Sequence, residues 1–263
     1  MRIALQLYSL RSYLEKNFEE VIRWVADIGF EGVEFAGFYG KDPNWLREFL
    51  SKAGLEVAGA HIPLNAFSDR EFEKTVAFNK SLGNKYLIIP GAPKEMIKTR
   101  GDWISFSKTL NNLANKLKIH GMKIGYHNHR SEFELVEGER PWDIIFSNTV
   151  SDVIMQLDIG HALAAKLSEE EIITVIKKYR GRAVTIHVKD YSKKKAIEFQ
   201  SVEKGYEVVL GEGDTKWLDI IKALKDYGNT EWLIIEQETY PYQPPIESIK
   251  KSYIFLRNLI ATL

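Results

Sequence analysis

Short apolar runs alternate with longer amphipathic stretches from one end of this 263-residue chain to the other. The runs are 3–7, 32–35, 56–60, 86–89, 123–126, 153–157, 183–188 and 232–235. They are mostly apolar at both parities, the pattern of parallel strands covered on both faces. The stretches between them read as helices. Residues 18–28 place Val21, Ile22, Val25 and Ile28 on one face. Residues 102–119 repeat Ile104, Leu110, Leu113 and Leu117, with Asp102 as a candidate cap. Ser168 and Glu171 form a capping box ahead of Ile172, Val175 and Ile176. Residues 246–263 close the chain with Ile249, Tyr253, Leu256 and Ile260 on one stripe. Eight such units at ~33 residues each match a single α/β domain, a (β/α)8 barrel spanning residues 1–263. A doubly wound sheet is the alternative, but it opens with a glycine-rich first turn. Here the first strand runs into Gln6-Leu7-Tyr8-Ser9-Leu10, which has no glycine.

Composition narrows the function. Lys and Arg number 36, as do Asp and Glu, so the net charge is zero and a general nucleic-acid binder is disfavoured. The absence of Cys excludes a disulfide scaffold, a thiolate nucleophile and a Cys-based zinc site. No apolar run approaches a membrane span, and the first residues do not read as a signal peptide. A cytoplasmic globular protein is the expectation. The longest connection, 189–211, carries Lys193-Lys194-Lys195, read as a solvated face. A short hairpin is expected around Tyr206 to Leu210. Gly211-Glu212-Gly213-Asp214 fits weakly as a phosphate cradle and equally as a turn into a helix capped by Asp214.

In a barrel of this kind the C-terminal strand ends converge on one site. Gln6 and Tyr8 follow strand one, Glu34 strand two and His61 strand three. His127, Asn128 and His129 follow strand five, Asp158 and His161 strand six, His187 and Lys189 strand seven, Glu236 and Glu238 strand eight. Five of the six histidines thus fall at one end. His120, before strand five, belongs to the opposite end and reads as structural. His127 to Asp158 is 31 residues and Asp158 to His187 is 29, each close to one unit. His187 to Glu236 is 49, one unit plus the long loop. Four consecutive strands would each supply one metal-competent side chain: two imidazoles and two carboxylates, a mixed set suited to a divalent ion.

The pieces Leu5-Gln6-Leu7-Tyr8-Ser9-Leu10-Arg11, Gly32-Val33-Glu34, Gly59-Ala60-His61, Gly125-Tyr126-His127-Asn128-His129 with Glu132-Phe133, Leu157-Asp158-Ile159-Gly160-His161, His187-Val188-Lys189-Asp190, Gly211-Glu212-Gly213 and Ile235-Glu236 carry a resemblance. In order and spacing the chain resembles the xylose-isomerase-like TIM barrels, the sugar phosphate isomerase/epimerase group, along nearly its full length. The resemblance implies one divalent ion (manganese, cobalt, zinc or magnesium) held by Asp158, His187 and Glu236. His127 stands where many members have Glu. It implies an isomerase or epimerase acting on a sugar or related α-hydroxy carbonyl compound, by proton transfer through a metal-stabilised enediolate. Glu236 or His129 is the expected base. His127 removes one of the paired carboxylates that serve ketose 3-epimerases, so His129 or Glu132 becomes the second proton-transfer group. Tyr8, Glu34, His61, Glu132, His161 and Lys189 are expected to contact the small-molecule substrate. The alternatives are a dehydratase of the inosose or dehydroshikimate type, a non-catalytic sugar-binding barrel, and an endonuclease-IV-like enzyme, which neutral charge and too few ligands disfavour. Members of this group are often dimers or tetramers, so a homo-oligomer is an expectation.

Overall fold

The computed structural model describes residues 1–198, 207–240 and 243–263. Its strands are β1 (Arg2–Gln6), β2 (Gly32–Ala36), β3 (Glu56–His61), β4 (Tyr86–Ile89), β5 (Lys123–His127), β6 (Ile154–Gln156), β7 (Thr185–Val188), β8 (Asp190–Tyr191), β9 (Glu207–Val208) and β10 (Trp232–Ile235). Eight of them form one parallel sheet in the order β6-β5-β4-β3-β2-β1-β10-β7. The two edges meet. Asp158 bridges His187 in parallel, the His187 amide donates to the Leu157 carbonyl at 3.1 Å, and the Met155 amide to the Arg182 carbonyl at 2.8 Å. The sheet is therefore a barrel, laced shut between β6 and β7, and the eight expected strand runs are its eight staves.

Helices surround it: α1 (Arg11–Leu14), α2 (Phe18–Ile28), α3 (Pro43–Lys52), α4 (Phe72–Leu82), α5 (Arg100–Lys118), α6 (Pro141–Ser147), α7 (Ile159–Ala164), α8 (Glu169–Lys178), α9 (Lys193–Glu198), α10 (Trp217–Ala223) and α11 (Pro245–Ala261). Local chemistry sets their ends. Asn17 caps α2 by accepting the Glu20 amide, and Gly29 ends it at φ 110°, a conformation few other residues adopt. Ser168 and Glu171 form the expected capping box of α8. In α5 the cap is Thr99 rather than Asp102; Asp102 is the third helical residue and returns the bond, completing a box. Asp214 does not cap the helix that follows it but reaches the start of α9. Its carboxylate accepts the Lys193 amide at 2.5 Å, and α10 starts only at Trp217.

Strand parity divides the core. Ala4, Ala58, Tyr86, Ile88, Ile154, Val184, Trp232 and Ile234 form one apolar cluster within the barrel. Ile3, Leu5, Val33, Phe35, Leu87, Ile89 and Ile186 belong to a larger cluster with the helices. Above the inner apolar layer the inward positions turn polar: Gln6, Glu34, Gln156 and Thr185 are fully buried. That change of chemistry forms the floor of the site.

The connection after β7 differs from expectation. β9 pairs antiparallel with β8, Asp190 opposite Val208 and Tyr191 opposite Glu207, so the two strands of the ribbon are separated in sequence by residues 192–206. Tyr206, where the hairpin was expected to begin, lies outside the described residues. The Gly211 and Gly213 amides do not form an open anion cradle. They donate to Asp190, which also accepts from the Tyr191 amide, Thr215 Oγ1 and Trp217 Nε1. A Cβ at residue 213 would lie 2.1 Å from Asp190 Oδ1, which is why glycine stands there. Among the described residues, no helix is long and apolar enough to cross a membrane.

Candidate active site and metal cluster

His127, Asp158, His187 and Glu236 close the top of the barrel. One ligand atom from each lies within 4.8 Å of all the others, and all four residues are buried. β5 and β10 end at the first and just before the last. Asp158 follows β6 and caps α7 by accepting the His161 amide on Oδ1 at 2.7 Å. That leaves Asp158 Oδ2, which is buried and accepts no hydrogen bond among the described residues. Lys189 Nζ stands 3.4 Å and His187 Nδ1 3.8 Å from it. An orphaned carboxylate oxygen amid two imidazoles and a second carboxylate suits a divalent cation.

Lys189 is buried beneath three carboxylates, with Nζ 3.1 Å from Glu236 Oε2 and 2.6 Å from Glu238 Oε1 besides Asp158. Its Cβ and Cγ press on Gly160, where any side chain would collide. Burial alone lowers an ammonium pKa, but Asp158 and Glu236 more than offset it and hold Lys189 well above the usual value. Glu236 is likewise penalised by burial, yet Lys189 and the bond from His187 hold its carboxyl well below the usual range. Burial, reinforced by the neighbouring imidazoles His187 and His61, depresses His127.

The expected substrate contacts separate into two groups. Tyr8, His61, His127, His129, His161, Glu236 and Glu238 line a mouth cavity of about 390 Å³. His129 and His161 face each other across it with ring centroids 5.0 Å apart. Lys189 sits just below, 3.4 Å from His161 Nε2. Glu34 and Glu132 are elsewhere. Glu34 lies beneath the cluster with both oxygens taken, by Gln6 Nε2 (2.7 Å), His187 Nε2 (2.5 Å) and Gln156 Nε2 (2.6 Å). Burial disfavours its charge, but His61 and His187 beside it leave the carboxyl below its usual value. Glu132 accepts from Tyr126 Oη at 2.7 Å, the His129 amide at 2.9 Å and Ser131 Oγ at 3.0 Å. These bonds tie it to the loop that carries His129. A strand-end acid is read from sequence as available, whereas here each accepts from several neighbouring donors and neither lines the cavity.

Gln156 and Thr185 escaped notice as members of the site, and Gln6 was placed at its strand end without being assigned a role there. Gln156 Oε1 meets His61 Nε2 at 2.8 Å and His127 Nδ1 at 3.2 Å, while Nε2 reaches Glu34 and, at 3.0 Å, Thr185 Oγ1. The signal was available: Gln156 is an amide two positions before Asp158, at the same inward parity of an otherwise apolar strand. Glu238 was noticed at its strand end but not assigned to the site it lines. His120 lies away from all of this, with its ring 6.4 Å from Phe72.

The family model for xylose isomerase-like TIM barrels matches residues 22–259. Inosose dehydratase from Mesomycoplasma hyopneumoniae is 29% identical over 274 residues, spanning 93% of this chain and 89% of that protein. Inosose dehydratase from Clostridium perfringens is 28% identical over 275 residues, 93% and 90% of the two chains. A sugar phosphate isomerase/epimerase from Parabacteroides distasonis superposes with a TM-score of 0.80 at 22% identity, covering 98% of each chain. The IolI protein, solved with a zinc atom, superposes at 0.76 with 15% identity over 100% of this chain and 99% of that one. At such identities the superpositions establish the fold, which agrees with the match over most of the sequence: this chain belongs to the xylose isomerase-like TIM barrel family.

Proposed function

We propose that this protein is a lyase that removes water from an inosose or a closely similar cyclic polyhydroxy ketone. The observation that carries the reading is the closed set of His127, Asp158, His187 and Glu236 opening onto a cavity lined by His129 and His161. Similarity to inosose dehydratases over nearly the whole chain favours dehydration over the isomerase or epimerase reading, which shares its first step.

The four residues would hold one divalent ion. When bound, such an ion supplies Lewis-acid polarisation of a carbonyl oxygen. The chain's own groups do the remainder. His61 and Tyr8 contact hydroxyls of the ring at the mouth, and Lys189 offers a positive charge to oxygen that gains electron density. His129 takes the proton from the carbon beside the carbonyl. The released electron pair forms a carbon–carbon double bond and expels the hydroxyl on the next carbon. His161 protonates that hydroxyl, so it leaves as water, and His129 later returns its proton to solvent. Glu236, the other expected base, is engaged by His187 and Lys189 and acts in this scheme as a ligand.

The test is incubation of the protein with an inosose and a divalent ion, followed by mass spectrometry. A product lighter by one water supports the proposal. A product of unchanged mass carrying solvent deuterium supports isomerisation or epimerisation instead. Tight binding without turnover supports a sensor barrel.

A further inference from the structure

Two of the four cluster residues are histidines, and a neutral imidazole binds a cation through only one nitrogen while the other carries a proton. Something must choose. Ligating histidines are usually oriented by a partner on the far nitrogen. In this barrel the partners converge on one buried carboxylate.

Glu34, when ionised, is an acceptor only. Each neighbour must therefore present a donor to it. His187 meets Glu34 Oε2 with Nε2 at 2.5 Å, so Nε2 carries a proton; Nδ1 stands 3.0 Å from Glu236 Oε2, an acceptor as well, so in the metal-free protein it also carries one, which a bound cation would displace while Nε2 keeps its own. Gln156 meets Glu34 Oε1 at 2.6 Å, so its amide nitrogen faces Glu34. The amide oxygen must then point the other way, where it meets His61 Nε2 and His127 Nδ1. Both nitrogens have to donate to it. The proton of His127 is thus placed on Nδ1, leaving the Nε2 lone pair as its ligand atom. All four hydrogen-bonding capacities of Gln156 are used, with Thr185 Oγ1 taking the last. Gly59 makes room for this arrangement, since a Cβ there would lie 2.9 Å from Glu34 Oε1.

We infer that Glu34 is a positioning residue that sets the proton placement of both histidine ligands, His187 directly and His127 through Gln156. The inference rests on the metal-cluster reading of the proposed function. It has a consequence that a general structural role lacks. In Glu34→Gln the new amide has one oxygen and one nitrogen for two sites that both require an acceptor. If the nitrogen faces His187, that ring must accept on Nε2 and carry its proton on Nδ1. If the nitrogen faces Gln156, the Gln156 amide must turn over and present its nitrogen to His127. Either way one ligand nitrogen is blocked.

The experiment is long-range nitrogen–proton correlation NMR of protein labelled in histidine nitrogen, with and without zinc, alongside calorimetric zinc titration. In the unaltered protein, His187 Nε2 and His127 Nδ1 carry protons in both states, and zinc attaches to the opposite nitrogens. In Glu34→Gln, one of the two rings changes its protonated nitrogen and zinc affinity falls about 10- to 100-fold. A bare His187 Nε2 or a bare His127 Nδ1 in the unaltered protein overturns the inference, as does Glu34→Gln with both placements and zinc affinity unchanged. The unaltered protein decides the matter even if the variant fails to fold. Absence of zinc binding by the unaltered protein would defeat the cluster reading, while the proton placements in the metal-free spectrum would still test the role of Glu34.

Discussion

Asp158 and His187 meet twice: their backbones pair across the seam that closes the barrel, and their side chains approach to 3.8 Å inside it. The cluster is assembled by the same contact that completes the sheet. Its geometry is accordingly a property of the fold rather than of a loop that must order.

Asp158→Asn separates the two duties of this residue. Asparagine still caps α7, so the helix is retained. The buried, unbonded Oδ2 charge is lost. Zinc or cobalt affinity is expected to fall at least ~100-fold, since even outer partners of a ligand cost 10–100-fold. Chelation should abolish turnover of the unaltered protein and a divalent ion restore it. Calorimetry and activity assays check both, and turnover by Asp158→Asn in chelator would rule out the proposed scheme.

Lys189→Met tests the buried cation. Removing it leaves Asp158, Glu236 and Glu238 facing one another without their shared counter-charge. Breaking one side of such a buried arrangement costs about 3–5 kcal/mol in the metal-free protein. A bound divalent ion replaces part of the missing charge, so metal should raise the melting temperature of this variant more than that of the unaltered protein. Equal metal-induced shifts would contradict the argument.

Glu207 gives a pH dependence. Its carboxylate accepts the Glu238 and Thr239 amides and Thr239 Oγ1, yet burial pushes its pKa up to about 7. A raised acid binds its proton more tightly folded than unfolded, so stability declines as pH rises from the unfolded value through about 7 and then levels. Glu207→Gln cannot ionise. Relative to the unaltered protein it should gain roughly 2–3 kcal/mol between about pH 5 and about pH 8. Denaturant titrations across that range would show parallel curves if the reasoning fails.

Asp190→Asn probes the anchor of the loops after β7. Five donors converge on Asp190, and an asparagine would turn its own donors toward some of them. The expected loss is about 2–3 kcal/mol, read by chemical denaturation. A change within ~0.5 kcal/mol, as for an ordinary surface site, would contradict it.

The barrel was legible because the alternation of apolar runs repeats eight times, and no single misplaced boundary alters that count. The convergence of His127, Asp158, His187 and Glu236 was legible because each falls at or beside the end of a stave, at intervals of 31, 29 and 49 residues, the last lengthened by the long connection. Most of what escaped reading depended on partners far away in sequence. Glu34 looks available until its donors are known, and they come from strands 28 to 153 residues distant. Glu132 is engaged locally, by Tyr126, His129 and Ser131, through a loop conformation that residue order alone does not give. The Asp190 hub is hidden similarly: Gly211 and Gly213 are free amides in sequence, and only the fold brings a carboxylate under them.

The floor beneath the cluster behaves as an indivisible mosaic. Gln6, Glu34, Gln156, Thr185 and His61 are joined in one continuous run of donors and acceptors, so a lone replacement strands its neighbours. If the cluster holds an ion as proposed, engineering a different ion preference into this barrel calls for swapping that mosaic as a block, together with the four residues above it.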